Sequence, residues 1–248
     1  MTVKPNEKLE ELGYKGLQII QSDTEYRFTT DAVLLANAVG DLSGKRAVDL
    51  GTGSGIIAVL LATKKNAKHV WGVELQPQLA DMAQRTVQHN KLDNVTIVNC
   101  PMQDAYKSLG GDYDCVVCNP PYRKCGSGER QLAPNLALCR HEIAVTLQEV
   151  VASAKRLLNT KGSLYLVHQA ERLAEICYLM KQNGIEPKVI TPIAPRVGAQ
   201  PNLVIVKGVL CGNVGCVVNK TLEILDVKGN YTPQVAAFYG LDSNKEEN

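Results

Sequence analysis

The stretch Asp49-Leu-Gly-Thr-Gly-Ser-Gly55 decides the fold of this 248-residue chain. It overlaps the end of a short apolar segment, residues 47–50, that is typical of a strand, and it precedes an apolar helical segment at 56–63. Glycines in a strand-to-helix turn let the backbone turn tightly and approach a ligand closely. The stretch therefore predicts a ligand site at the carboxyl edge of a parallel sheet, although a plain turn could have the same composition.

Outside this turn, the chain alternates segments typical of strands and helices. Strands are predicted at 47–50, 69–75, 95–99, 113–118, 162–167, 187–193 and 202–209, and helices at 32–39, 56–63, 77–90, 143–158 and 171–183. Such alternation implies a mainly parallel sheet with helices on both faces. We therefore predict an α/β fold, with one Rossmann-like domain over 29–241 built on a mainly parallel seven-stranded sheet.

The segments at the two ends of the chain are predicted less fully. Residues 1–28 form an N-terminal extension in this interpretation, with a short strand or hairpin within 16–28, and residues 242–248 form a flexible tail. The pattern also indicates a strand at 222–227 but not where that strand packs.

Composition and charge narrow the classes of protein. A content of 45% hydrophobic and 21% charged residues is ordinary for a soluble globular protein. No apolar run is long enough to cross a bilayer, and the first eleven residues lack the apolar core of a signal peptide. The net charge of +2 permits a nucleic-acid partner without demanding one. We therefore expect a cytoplasmic protein without a membrane partner.

Two of the eight cysteines, Cys115 and Cys118, have the CxxC spacing of a metal site. They lie inside the predicted strand at 113–118, where alternation points them to opposite faces of the sheet. The intervening Val-Val also disfavours the turn of a zinc knuckle. We expect free buried thiols and no metal, and reduced cysteines favour the cytoplasm.

Two acidic residues argue against a dinucleotide at the glycine turn. Asp49 precedes the glycines, where its carboxylate can hold a water or an ammonium group rather than a pyrophosphate. Glu74 ends the second predicted strand, about 20 residues further on, where a carboxylate can accept both hydroxyls of a ribose.

This pattern resembles the cofactor site of class I methyltransferases, whose cofactor is S-adenosylmethionine. The resemblance places Asp49, Gly51, Gly53 and Gly55 at the methionine end of the cofactor. It places Glu74 at the ribose. It places Leu75, together with Gln103 or Asp104, at the adenine. Of the last two, Asp104 is the preferred acceptor of the adenine amino group.

The sequence Asn119-Pro-Pro-Tyr122 follows the fourth predicted strand and carries the chemistry. The side-chain carbonyl of Asn119 and the backbone carbonyl of Pro120 can both accept hydrogen bonds from one NH₂ group, and paired prolines fix the backbone direction. Tyr122 can stack on a planar base, which is worth about 1–3 kcal/mol. The sequence resembles the motif shared by adenine-N6, cytosine-N4, guanine-N2 and glutamine-N5 methyltransferases, so it defines the reaction better than the substrate. It assigns catalysis to Asn119, Pro120 and Tyr122, with Asn119 also beside the cofactor.

Motifs along the whole chain resemble one family. These are Tyr26-Arg-Phe-Thr-Thr-Asp-Ala-Val-Leu-Leu-Ala36, the two motifs above, Arg140-His-Glu142, Asn202-Leu-Val-Ile-Val-Lys-Gly208 and Gly229-Asn-Tyr-Thr-Pro233. Their order is similar to that of the bacterial tRNA (adenine-N6) methyltransferases that modify the adenosine 3′ of the anticodon in a valine tRNA. The resemblance implies an enzyme with tRNA as partner, and places Phe28 and Thr30 at the methionine end of the cofactor. The sequence does not define the oligomeric state, and we expect a monomer. Residues 198–201, Gly-Ala-Gln-Pro, depart from the more charged stretch expected there.

Positive charge follows the acceptor motif. Arg123, Lys124, Arg130 and Arg140 stand against a single acidic residue, Glu129. This excess can meet RNA phosphates, so Tyr122, Arg123, Lys124 and Arg130 are predicted to bind substrate. A solvated loop is the alternative.

Other classes of protein share parts of this pattern. A glutamine-N5 enzyme shares both motifs but carries a helical N-terminal domain, for which residues 1–28 leave too little room. A DNA enzyme needs a target-recognition region that is not apparent, and a guanine-N2 enzyme stays open. A non-catalytic binding module is disfavoured by the intact Asn119 and Tyr122.

Overall fold

The structure, a computed structural model, describes residues 3–22, 30–121 and 145–241. The strands in these ranges are β1 (Glu7–Glu11), β2 (Gln18–Ser22), β3 (Arg46–Leu50), β4 (His69–Glu74), β5 (Val95–Asn99), β6 (Tyr113–Cys118), β7 (Leu158–Gln169), β8 (Ile185–Arg196), β9 (Leu203–Leu210), β10 (Val217–Val218) and β11 (Leu222–Leu225). The α-helices are α1 (Thr30–Ala38), α2 (Ile56–Thr63), α3 (Pro77–His89), α4 (Ala105–Leu109), α5 (Leu147–Leu157), α6 (Leu173–Gln182) and α7 (Pro233–Phe238). Short 3₁₀ turns occur at Met102–Asp104 and Ala170–Arg172.

The main sheet has nine strands in the order β10-β8-β9-β7-β6-β3-β4-β5, with β11 also paired to β8. Strand β9 runs antiparallel to β7 and β8, whereas the other pairs in this sheet are parallel. The predicted α/β fold is confirmed, and all seven predicted strands lie in this sheet. The predicted count of seven is corrected to nine, because the outer edge of the twelve-residue β8 also pairs with the short β10 and β11.

Helices cover both faces of this sheet, and alternate residues of each central strand face different cores. In β6, Val117 packs into the core under α1 and α2, whereas Val116 packs into the core under α5 and α6. Cys115 joins the first core and Cys118 the second, so the predicted opposite orientation of these two cysteines is confirmed. Burial raises the pKa of Cys115 to about 12, which keeps its thiol protonated.

A hairpin of β1 and β2 packs on α3. Strand β2 falls within the predicted hairpin region, 16–28. Strand β1 lies before that region and was not predicted, because its charged, half-exposed residues have no apolar pattern. The Arg85 guanidinium donates to both carboxylate oxygens of Glu7, each at 2.6 Å. The Ile20 amide donates to Thr86 Oγ1 at 3.1 Å. The hairpin is therefore fastened to the helix that begins beside the end of β4.

The C-terminal segment returns to the N-terminal part of the chain. Helix α7 packs against α1, and Lys64 Nζ donates to the Phe238 carbonyl at 2.8 Å. Tyr231 and Tyr239 stack with ring centroids 5.1 Å apart. A Cβ at Gly13 would lie 2.4 Å from the Tyr239 carbonyl oxygen, so the backbones approach each other closely there. This segment therefore packs on α1, α2 and the turn of the hairpin.

We expect Gly72→Ala to destabilise the protein by about 1–3 kcal/mol, the usual cost of overpacking a core. A Cβ at Gly72 would lie 2.9 Å from Thr52 Oγ1 and from Ile97 Cδ1. Thermal and urea unfolding would measure the loss. Gly44→Ala, a substitution in a turn, is the comparison variant. Its Cβ would meet nothing within 4 Å, so its loss of stability would come from backbone strain alone, at φ +76°. Wild-type stability of Gly72→Ala would show that Thr52 and Ile97 can move aside.

Candidate active site

A cavity of about 420 Å³ opens at the carboxyl ends of the parallel strands. This is the edge of an open α/β sheet at which ligands bind, and the volume suits a small-molecule cofactor. Its walls come from the turns after β3, β4, β5 and β6 and from the start of α5. The lining residues are Gly51, Gly53, Val73, Glu74, Leu75, Gln76, Leu79, Cys100, Pro101, Met102, Gln103, Asn119, Pro120, Pro121, Val145 and Glu149.

The glycine turn forms one wall of this cavity. Gly51 and Gly53 have φ of 74° and 58°, values that favour glycine. The amide of Gly51 donates to the Val73 carbonyl at 2.9 Å, which holds the turn against β4. A Cβ at Gly53 would meet nothing within 4 Å, so a ligand can lie directly against the backbone. Gly55, with φ 91°, ends the turn and packs against Ala83 of α3 rather than lining the cavity.

Glu74 is fixed at the cavity wall by backbone amides. Its Oε2 accepts from the Gly53 amide and its Oε1 from the Gln76 amide, each at 2.9 Å. Burial raises the pKa of this carboxyl, while those amides favour its charged form. Each oxygen retains capacity for a further hydrogen bond, which is the arrangement that two adjacent ribose hydroxyls require.

Asp49 lies fully buried beneath the glycine turn. Thr52 Oγ1 donates to its Oδ2 at 2.5 Å. Its Oδ1 lacks a hydrogen bond of normal geometry within the described part of the chain, and such a buried acceptor is costly. Burial raises the pKa of Asp49 to about 7, against the opposing effects of Thr52 and the Ala58 amide. A cationic or hydrogen-bonding group at the turn would satisfy this carboxyl.

The pKa of Asp49 predicts a pH-dependent stability. Because the folded value of about 7 exceeds the ordinary 3.8, the folded protein binds more protons than the unfolded chain between these values. The stabilising contribution is therefore complete below the unfolded pKa and is lost as the pH rises through the folded pKa. Urea unfolding at about pH 5 and about pH 8 should give a larger loss for wild type than for Asp49→Asn. Equal pH dependence of the two proteins would show that Asp49 is ionised across this range.

Another part of the cavity lining is apolar and suits a purine. Leu75 is 38% exposed, and Pro101, Met102 and Leu79 complete an apolar surface with it. Gln103 lines the cavity, whereas the preferred sequence candidate, Asp104, does not and instead accepts from Lys107 Nζ at 2.7 Å. The 3₁₀ turn at Met102–Asp104 separates the two neighbouring side chains in this way.

The acceptor motif meets the same cavity. Asn119, Pro120 and Pro121 follow the end of β6, which lies next to β3 and its glycine turn. Thr30 begins α1 and is not among the lining residues. Several sequence candidates lie outside the described residues, namely Phe28, Tyr122, Arg123, Lys124, Arg130 and Arg140-His-Glu142.

Sequence reasoning missed Glu149 at this site. Thr146 and Glu149 form a capping box at the start of α5, and Glu149 Oε1 accepts from Gln103 Nε2 at 3.1 Å. The spacing Thr-x-x-Glu before an apolar run was a readable signal for the helix start. Nothing in the local sequence indicates the contact with Gln103, because 46 residues separate the pair.

The donor set of this cavity fits S-adenosylmethionine. The open backbone at Gly53 and the doubly held carboxylate of Glu74 match an amino acid joined to a ribose. The apolar surface beyond them matches an adenine. The buried carboxyl of Asp49 lies behind the glycine turn and does not line the cavity. No helix within the described ranges is long and apolar enough to cross a membrane. The same ranges contain no cluster of three metal-ligating side chains.

Solved structures support the class of fold. A crystal structure from Agrobacterium tumefaciens, described as a predicted O-methyltransferase, is similar to this chain with a TM-score of 0.68 at 22% identity, covering 85% of this chain and 96% of its own. The structure of M. jannaschii TYW2 in complex with AdoMet has a TM-score of 0.58 at 13% identity, covering 84% and 88%. These likenesses show that the fold of this chain is Rossmann-like.

Sequence comparison specifies the family. Residues 25–183, more than half of the chain, match the family described as "Methyltransferase small domain", and the chain belongs to that family. This membership confirms the predicted enzyme class, a methyltransferase with S-adenosylmethionine as methyl donor.

Curated relatives are named for a more specific activity. A protein of Porphyromonas gingivalis named tRNA1(Val) (adenine(37)-N6)-methyltransferase is 31% identical over 173 residues, which cover 66% of each chain. An Aeromonas hydrophila protein of the same name is 29% identical over 196 residues, covering 78% of this chain and 81% of its own. The resemblance predicted from the sequence motifs is therefore confirmed.

Proposed function

We propose that this chain transfers a methyl group from S-adenosylmethionine to the exocyclic N6 of an adenine in tRNA, at the position 3′ of the anticodon. One observation carries the proposal. Asn119, Pro120 and Pro121 line the same cavity as Gly51, Gly53 and Glu74, so an amine acceptor and a methyl donor meet at one sheet edge. The names of the relatives supply the nucleic acid and the base. The reaction takes place in the cytoplasm, on a monomeric enzyme.

The bound cofactor supplies an electrophilic methyl group. The residues of the chain orient the acceptor. The Asn119 side-chain carbonyl and the Pro120 backbone carbonyl accept the two N–H bonds of the adenine amine, which directs its lone pair towards the methyl group. Pro120 is buried and its φ is fixed by the ring, so its position costs little reorganisation. Catalysis therefore depends on orientation and exclusion of water rather than on a strong base.

Bulk tRNA from a strain that lacks this enzyme is the decisive substrate. Purified protein is incubated with radiolabelled cofactor and this tRNA, the nucleosides are separated, and the labelled position is mapped. Labelled N6-methyladenosine next to the anticodon is the expected result. Labelled guanosine, or label in a release factor and none in tRNA, would move the activity to a guanine-N2 or a glutamine-N5 acceptor.

We expect charge reversal of Arg123, Lys124 and Arg130 together to weaken tRNA binding. Each lost phosphate contact reduces the slope of log affinity against log salt by about 0.7–0.9. Filter binding at several salt concentrations measures both affinity and slope. The matched control is reversal of Lys155, Arg156 and Lys161, which leaves the segment after the acceptor motif unchanged. Undiminished binding with an unchanged slope would reduce the segment to a solvated loop.

A further inference from the structure

One side chain outside the predicted cofactor set, that of Glu149, holds Gln103 at the wall of the cavity. Glu149 Oε1 accepts from Gln103 Nε2 at 3.1 Å, and both residues line the cavity. Its other oxygen, Oε2, accepts from the Thr146 amide and from Thr146 Oγ1, each at 2.8 Å. One carboxylate oxygen is therefore held by the start of α5, and the other faces Gln103.

The charge of Glu149 dictates what Gln103 can do. Hydrogen bonds from the Thr146 amide, the Thr146 hydroxyl and Gln103 lower the pKa of Glu149, so it is ionised at neutral pH. An ionised carboxylate can only accept hydrogen bonds. Gln103 must therefore turn its NH₂ group towards Glu149, whichever way an isolated amide would prefer to lie. Its carbonyl oxygen Oε1 is consequently turned away from Glu149.

We propose that Glu149 is a positioning residue that makes Gln103 a pure acceptor for the 6-amino group of the cofactor's adenine. An adenine carries a donor at position 6, whereas a hypoxanthine carries an acceptor. A fixed carbonyl oxygen binds the first and repels the second. The capping box at the start of α5 thus sets the base specificity of the cofactor site through Gln103. This inference rests on the proposed use of S-adenosylmethionine.

Binding of two demethylated ligands tests the proposal without turnover. Isothermal titration gives the Kd of S-adenosylhomocysteine and of S-inosylhomocysteine, which differ at position 6 of the purine. For wild type we expect S-adenosylhomocysteine to bind about 100-fold more tightly. The adenine ligand forms a hydrogen bond with the Gln103 carbonyl, whereas the inosine ligand leaves that carbonyl without a donor.

Glu149→Gln is the informative variant, because Gln at this position preserves a capping box. The carbonyl of its neutral amide accepts from the Thr146 amide and leaves its NH₂ group facing Gln103. Gln103 then turns its own carbonyl towards that group and can donate to a hypoxanthine. The preference should fall to about 10-fold or less, chiefly through tighter binding of the inosine ligand. A wild-type preference in this variant would overturn the proposal.

Two controls separate orientation from general damage. Glu186→Gln removes a charge that pairs with Lys181, neither of which lines the cavity, and should keep the wild-type preference. Gln103→Leu removes the acceptor and should weaken binding of S-adenosylhomocysteine while leaving little preference. Failure of the wild-type protein to bind S-adenosylhomocysteine would instead refute the proposed function, and this inference with it.

Discussion

Replacing Asn119 with alanine is expected to lower the rate of methyl transfer by about 10²–10³, the loss seen when one preorganised polar contact to a reacting group is removed. The variant retains the buried Pro120 but loses the side-chain carbonyl that orients the amine. The Kd for S-adenosylhomocysteine should stay within several-fold of wild type, because the glycine turn and Glu74 are unchanged. Single-turnover transfer to tRNA and titration of the ligand measure the two quantities separately.

The matched variant at this position is Asn119→Gln, which keeps the amide and displaces it by one methylene. Since orientation is the source of the rate, it should be nearly as slow as the alanine variant. Wild-type rates in Asn119→Ala would remove Asn119 from catalysis. A loss confined to ligand affinity would make it a cofactor contact alone.

Glu74→Ala is expected to raise the Kd for S-adenosylhomocysteine by about 100-fold or more, since hydrogen bonds to a charged group contribute about 1.5–3 kcal/mol each. The carboxylate also accepts from the amides of Gly53 and Gln76, so its removal loosens the wall that the glycine turn forms. The rate at saturating cofactor should fall much less than the affinity. Ligand titration and steady-state kinetics at several cofactor concentrations provide these values.

Glu74→Gln is the matched variant for this residue. It keeps the side-chain size but replaces one acceptor oxygen with an NH₂ donor. That NH₂ group would face a backbone N–H, of Gly53 or of Gln76, which is also a donor. Its Kd should lie between those of wild type and Glu74→Ala. An unchanged Kd in Glu74→Ala would exclude the ribose contact.

The features of this fold that depend on neighbouring residues in the sequence were predictable. The turn at 49–55, the end of β4 at Glu74 and the motif after β6 all follow from strand endings and residue types. The opposed orientation of Cys115 and Cys118 follows from strand alternation alone. These signals need no knowledge of distant contacts.

Features that depend on distant contacts were not predictable. Strand β1 is charged and acquires its place through Arg85, which is far along the chain. Strand β10 consists of two exposed valines, Val217 and Val218. They form a strand only because they pair with the edge of β8. The choice between Gln103 and Asp104 depends on the 3₁₀ turn and on Glu149, and neither has a local sequence pattern that assigns it to the cavity.

The return of the C-terminal segment to α1 and the hairpin turn has a consequence for synthesis on the ribosome. Helix α7, which packs against α1, is synthesised about 200 residues after it. Until residues 233–240 have left the exit tunnel, the side of α1 that they cover and the backbone at Gly13 remain exposed to solvent. Domains fold as units during translation, so α1 stays incompletely covered until α7 has been made and has emerged. A chain released early by a premature stop codon before α7 would present this uncovered surface to chaperones and proteases.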